Sequence, residues 1–259
     1  MADWGTPFPL VIAEANGVCL TDADGNRYAD FCLGDTGAMF GHSPPAVAAA
    51  LNAQAARGLT VMLPSPDVAR VGELLAARFG LPYWQVTATA SDANRSVICW
   101  ARAATGRKKI LVMQGCYHGA VDDTFVALEN GKPRNRPGLV GEVRDVTETT
   151  AVVEFNDLAA LEQALAHEEI ALVLAEPVMT NCGMVLPDPG YHAALRRLTR
   201  RYGTLICIDE THTISTGPGG YSQAHGLAPD MFVLGKPVGG GVPCAVYGFT
   251  DTGAARMKQ

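Results

Sequence analysis

Near-continuous apolar runs, separated by helix-period segments, constrain this chain most. KILVMQG (109–115), TAVVEF (150–155), IALVLAEPV (170–178), TLICIDE (204–210) and MFVLG (231–235) are apolar at both odd and even positions. A strand with one wet face alternates, whereas these do not, so the sheet they build is covered on both faces. Helical patterns occupy 157–168 and 190–203. A third, SDANRSVICWARAATG (91–106), follows the short strand YWQVTAT and places Ser91 or Asp92 near its N-cap. The alternation predicts an α/β fold of three layers, with a mostly parallel sheet between helices.

The beginning of the chain has a different texture. Residues 10–33 read as antiparallel hairpin strands, with turn signals at Asn16-Gly17 and Asp24-Gly25. Two helical segments follow at 44–58 and 65–80, each closed by a glycine. The expected division is an N-terminal strand segment at 1–35 and a large ligand-binding domain at 36–259. The polar, Pro/Gly-rich stretch 128–147 reads as a long surface loop.

Charge and composition exclude several functions. The net charge is −6 and no basic run is present, which argues against a nucleic-acid partner. No apolar run reaches the length of a membrane span. The first residues carry Asp3 and no basic region, so they do not read as a secretory leader. Seven cysteines are scattered without C-x-x-C spacing, as expected of reduced thiols in a cytoplasmic protein rather than disulfides or a metal site.

In an open α/β sheet, ligands bind beyond the carboxyl ends of the strands. Ala90 and Ser91 lie where YWQVTAT enters a helix, and the free N–H groups of such a first turn suit a phosphate, although a plain helix cap gives the same pattern. Tyr117 and His118 follow KILVMQG and would make a stacking platform over a planar ligand, or be structural. Glu176 ends another strand, with Asn181 beyond it. Asp209 closes TLICIDE, where an acid is expensive unless a cation pairs with it. A protonated pyridine nitrogen is such a cation; a metal, with His212 nearby, is the weaker rival. Lys236 follows MFVLG and precedes Gly239-Gly240-Gly241. The neutral amine of a desolvated lysine forms Schiff bases with aldehydes. Phosphate cradle, aromatic platform, buried acid and post-strand lysine together are the parts of a pyridoxal-phosphate (PLP) site.

The order of these motifs resembles the class III aminotransferases of PLP fold type I over nearly the whole chain. The blocks TASDANRSVICWARAATGRKKILVMQGCYHG, AEPVMTNCG, LICIDETHT and APDMFVLGKPVGGGVPCAVYGF carry the likeness. It implies that Lys236 forms the internal aldimine with PLP and moves the proton. By the same likeness Asp209 bonds the pyridine nitrogen and Tyr117 stacks on the ring. Ala90 and Ser91 hold the phosphate, Asn181 contacts the ring hydroxyl, and His118 and Thr211 complete the cofactor site. Asp35, Thr36 and Met62 fall where the family lines its substrate pocket. The implied reaction moves an amino group between an amine or amino acid and a keto or aldehyde acceptor, in a homodimer, with no resident metal. Aminomutase or decarboxylase chemistry on the same fold, and a non-catalytic fragment, are the alternatives. Three departures stand out. Ala90-Ser91-Asp92 replaces the family's Gly-Thr-Glu, Thr211 replaces its valine, and the chain stops soon after the lysine block, without the usual C-terminal small domain.

Overall fold

The computed structural model describes residues 10–257. Residues 1–9, which begin the expected strand segment and were read for a leader, lie outside that range. The chain divides into two compact units. The first comprises residues 1–65 together with 236–243; the second comprises 66–235 and 244–259. The first unit thus runs well past residue 35 and takes in Lys236.

In the first unit, β1 (Ile12–Asn16), β2 (Cys19–Asp22) and β3 (Arg27–Ala29) form an antiparallel sheet in that order. Gly17, at φ 54°, makes the first turn. In the second turn Asp22 accepts from the N–H groups of Asp24 and Asn26, at 3.0 and 2.8 Å. The third strand is shorter than its sequence pattern suggests. It stops at Ala29 because Asp30 captures the following N–H groups and bends the chain away. Helix α1 (Pro45–Ala55) has proline at its first turn, where a missing N–H costs nothing.

In the second unit a seven-stranded sheet has the order β4-β12-β11-β10-β9-β5-β8. These strands are β4 (Tyr83–Thr87), β5 (Lys109–Met113), β8 (Thr150–Val153), β9 (Ile170–Ala175), β10 (Leu205–Asp209), β11 (Met231–Leu234) and β12 (Ala245–Phe249). Five of them, β11 through β8 in that order, run parallel, while β12 is antiparallel to both β11 and β4. The α/β class with a mostly parallel sheet holds. All six residues of β9 and all five of β10 are buried, so both sheet faces are covered.

Helix α2 (Asp67–Phe79) ends on left-handed Gly80, and α3 (Ala90–Thr105) on left-handed Gly106. Ala93, Val97, Ile98 and Ala101 form one stripe of α3 and are essentially solvent-free. Burying Val97 and Ile98 contributes about 1.5–3 kcal/mol each. Helices α4 (Leu158–Leu165) and α5 (Tyr191–Arg201) pack on each other, and α4 also contacts β8 while α5 contacts β10. The short helices α6 (Gly220–Ala224) and α7 (Asp251–Met257) complete the unit.

Two details differ from the sequence reading. The N-cap of α3 is Thr89, whose hydroxyl accepts from Asp92 N at 3.2 Å, so Ser91 and Asp92 lie inside the first turn. The stretch read as a loop from 128 contains a hairpin, β6 (Val126–Glu129) with β7 (Lys132–Asn135), turned by Asn130-Gly131 with both residues at positive φ.

Candidate active site

In the second unit, three candidate residues, Asp209, Thr211 and His118, meet beyond the strand ends. Asp209, the last residue of β10, is 4% exposed, and both its carboxylate oxygens take part in hydrogen bonds. Its Oδ1 accepts from Thr211 N at 3.1 Å and Thr211 Oγ1 at 2.6 Å. Its Oδ2 accepts from Asn94 Nδ2 at 2.9 Å and lies 2.9 Å from His118 Nδ1. His118 sits in the turn after β5 and is 1% exposed.

Burial opposes charge on both partners, but they sustain each other. Burial alone would raise the Asp209 carboxyl; hydrogen bonds and charge from His118, with bonds from Thr211 and Asn94, hold it below the usual value. Burial would depress His118, but nearby Cys116 and the hydrogen bond and charge of Asp209 outweigh it and push it up to about 10. The two side chains therefore form a buried ion pair, supported by further donors to both carboxylate oxygens.

Ser91 approaches this group from α3. Its Oγ accepts from Ala120 N at 2.9 Å, which ties the helix start to the turn after His118. Gly119 lies against it at φ 81°, and a Cβ there would come within 2.1 Å of Ser91 Oγ. Ala90 is packed just as tightly, since a Cβ on Gly235 would meet its Cβ at 2.8 Å. Tyr117, next to His118, presents an exposed side chain.

Asn181 Nδ2 donates to Glu176 Oε1 at 3.1 Å and to Thr180 Oγ1 at 3.3 Å, within the turn after β9. Lys236, Asp35, Thr36 and Met62 belong to the first unit. There Lys236 Nζ donates to Asp35 Oδ2 at 2.5 Å, and Met62 is 97% exposed.

Sequence reasoning gave no role to two residues. Asn94 is fully buried, donates to Asp209, and also donates to the His118 carbonyl at 3.1 Å. Its signal was a polar residue on the apolar stripe of α3. Glu210, also fully buried, accepts from Tyr221 N at 3.0 Å, Ser222 N at 2.5 Å and Thr213 Oγ1 at 2.6 Å. It folds the segment after β10 back on itself.

The donor set fits PLP. A ring nitrogen that holds its proton needs a buried, charged acceptor, and Asp209 is one. A phosphate needs donors at a helix start, and Ala90 and Ser91 lie in the first turn of a sixteen-residue helix. His118 Nε2 is buried with no hydrogen-bond partner, a polar atom left open beside the carboxylate. Among the described residues, no cluster of three His, Cys, Asp or Glu side chains is placed to hold a metal ion. Among them, too, no helix is long and apolar enough to cross a membrane.

Known proteins place this arrangement. The sequence profile of the family described as Aminotransferase class-III matches residues 1–258. Glutamate-1-semialdehyde 2,1-aminomutase of Acidobacterium capsulatum is 37% identical over 246 residues, covering 93% of this chain and 57% of the relative. A crystal structure of a glutamate-1-semialdehyde-aminomutase from Pseudomonas aeruginosa PAO1 superposes with a TM-score of 0.95 at 54% identity, covering 98% of this chain and 56% of that one. A variant of that enzyme was solved in complex with PMP. An omega-transaminase from Sphaerobacter thermophilus matches with a TM-score of 0.90 at 30% identity, over 96% of this chain and 59% of its own. The chain thus spans little more than half the length of these relatives. With a family profile matched from residue 1 to 258, the chain belongs to the class III aminotransferases.

Proposed function

We propose that the chain is the cofactor-holding part of a PLP-dependent enzyme that moves an amino group between an amine or amino acid and a keto or aldehyde acceptor. The observation that carries this reading is Asp209, a charged carboxylate kept in a dry site by His118, Asn94 and Thr211. When bound, PLP supplies an aldehyde that bonds amine nitrogens and a ring that withdraws electrons.

The chain's residues do the rest. The Asp209 carboxylate holds the proton on the ring nitrogen, and His118 keeps that carboxylate charged. The N–H groups of Ala90 and Ser91, with the Ser91 hydroxyl, bind the phosphate. Tyr117 would stack on the cofactor ring, and Asn181 would bind its hydroxyl. Lys236 Nζ would hold the aldehyde and would carry a proton to and from the substrate carbon. Asp35, Thr36 and Met62 line the substrate side. A homodimer working in the cytoplasm completes the reading, in keeping with seven free cysteine thiols.

Borohydride reduction of the chain mixed with PLP, followed by peptide mapping, tests it. The pyridoxyl group is expected on Lys236; a label on Lys108 or Lys109 instead would reject the assignment. A second reading, aminomutase, is favoured by the names of the relatives at 36–38% identity. Product analysis separates the two, since an aminomutase returns an isomer of its substrate and needs no separate acceptor.

A further inference from the structure

In the second unit, α5, α6 and the segment after α6 flank a cavity of about 660 Å³. Its floor is Ile206 and Ile208 of β10, both nearly solvent-free. Successive side chains of a strand point to opposite faces, so Ile208 faces away from its neighbour Asp209. The cavity therefore lies across the sheet from the carboxylate assigned to the cofactor, and no residue assigned to the cofactor lines it.

Two buried anchors build its walls. On one side Arg196 of α5 donates twice to Asp230, at 2.6 and 2.7 Å, and Asp230 also accepts from Ile206 N at 2.9 Å. On the other side Glu210 holds Tyr221 N and Ser222 N of α6. Gly220, at φ 69°, permits this approach, because a Cβ there would fall 2.8 Å from Glu210 Oε2. Glu210 thereby positions Tyr221, whose ring stacks on His225 at 3.9 Å with 20° between the planes. His192 stands edge-on to Tyr221 from α5, at 5.9 Å. The cavity is also positive. Arg197 and Arg200 line it three residues apart on α5, which makes them neighbours on the helix surface. Among the described residues neither forms an ion pair, whereas Arg196 is held by Asp230. Asp188 is the one acid on the lining.

We infer that this cavity binds a planar aromatic phosphate monoester at a site separate from the cofactor's. A flat ring extends the Tyr221–His225 stack, and the two unpaired guanidiniums take the phosphate, whose oxygens match their forked donors. The volume lies in the usual range for small-molecule sites. Arg197 and Arg200 are exposed, so solvent and salt screen them and the affinity is modest and falls as ionic strength rises. A nucleoside monophosphate and a phosphorylated pyridine both carry this chemistry. The inference is independent of the aminotransferase reading.

Calorimetric titration tests it on the chain loaded with PLP, reduced with borohydride and desalted, so that the cofactor site is already filled. The probes are adenosine 5′-monophosphate and pyridoxine 5′-phosphate, each beside its phosphate-free parent and beside inorganic phosphate. At least one ester should bind about tenfold or more tightly than its parent and than inorganic phosphate, the scale of one charge-assisted contact; the tighter of the two esters identifies the source. Replacing both Arg197 and Arg200 by alanine should weaken that ester about tenfold, and these exposed positions leave the fold intact. Tyr221→Leu should weaken it about fivefold and Tyr221→Phe should not, since only the ring is required. Binding of neither ester, an ester no tighter than its parent or than inorganic phosphate, or full affinity in the double arginine variant would overturn the inference.

Discussion

Asn94 Nδ2 donates to both Asp209 Oδ2, at 2.9 Å, and the His118 carbonyl, at 3.1 Å. One amide thereby fastens the end of β10 and the turn after β5 to helix α3. Replacing it by alanine removes a donor from a buried carboxylate and a buried carbonyl together. Asn94→Ala should lower stability by about 2–3 kcal/mol, since unsatisfied buried groups retain their full desolvation cost. Urea denaturation monitored by circular dichroism measures this. A loss within error of zero would mean that another donor moves in without cost.

The His118–Asp209 pair gives the stability a pH profile. His118 is raised in the folded state from 6.5 to about 10, so its contribution is complete below pH 6.5 and disappears as pH rises through 10. Asp209 is lowered from 3.8, so its contribution is complete above that value and fades as pH falls through the depressed one. Between pH 6 and 9 the wild type should therefore lose stability, and His118→Gln should lose less over the same interval. Denaturation midpoints at the two pH values give the comparison. A wild type that gained stability relative to His118→Gln would show the imidazole to be neutral.

Gly119 cannot accept a side chain. Its φ is 81°, and an added Cβ would fall 2.1 Å from Ser91 Oγ and 3.0 Å from Ser91 Cα. Gly119→Ala should cost at least about 1–3 kcal/mol through left-handed strain alone. It should also push Ser91 off Ala120 N and weaken PLP binding by about tenfold, the scale of one hydrogen bond to a charged group. Fluorescence titration with PLP, read beside the thermal midpoint, separates the two effects. Unchanged affinity would take Ser91 out of the phosphate site.

Much of this was legible in the sequence because burial writes itself into strand composition. Asp209, His118 and Lys236 were visible as polar residues abutting apolar runs. The α3 cap was misplaced by two or three residues, because Thr89, Ser91 and Asp92 are all good capping types and only the backbone angle at Thr89 decides among them. The β6–β7 hairpin had its Asn130-Gly131 signal, but Pro133, Arg134 and Asn135 made the second strand look like loop. Strand β12 was hidden for a different reason, since a lone antiparallel strand beside parallel ones has no local mark. Asn94 is satisfied by groups far along the chain, and no window of sequence contains both partners, whereas Glu210 is satisfied within the next turn by groups whose folding back no local pattern announces. Asp35 and Lys236 are likewise far apart in sequence, and their pairing depends on a left-handed run at 33–36 that residue type alone does not announce.

The placement of β12 also bears on how the chain is made. β4 forms its ladder with β12, pairing Tyr83 with Phe249 and Thr87 with Ala245. β11 likewise completes its ladder on that side with β12. During synthesis, the early strand therefore waits through the translation of everything between Thr87 and Ala245 before its neighbour emerges. Contacts of such sequence separation form late and slowly. Meanwhile β4 and β11 present bare backbone edges to other nascent chains. The interval before residue 249 leaves the ribosome is when this sheet is most exposed to mispairing, and when a chaperone has most to protect.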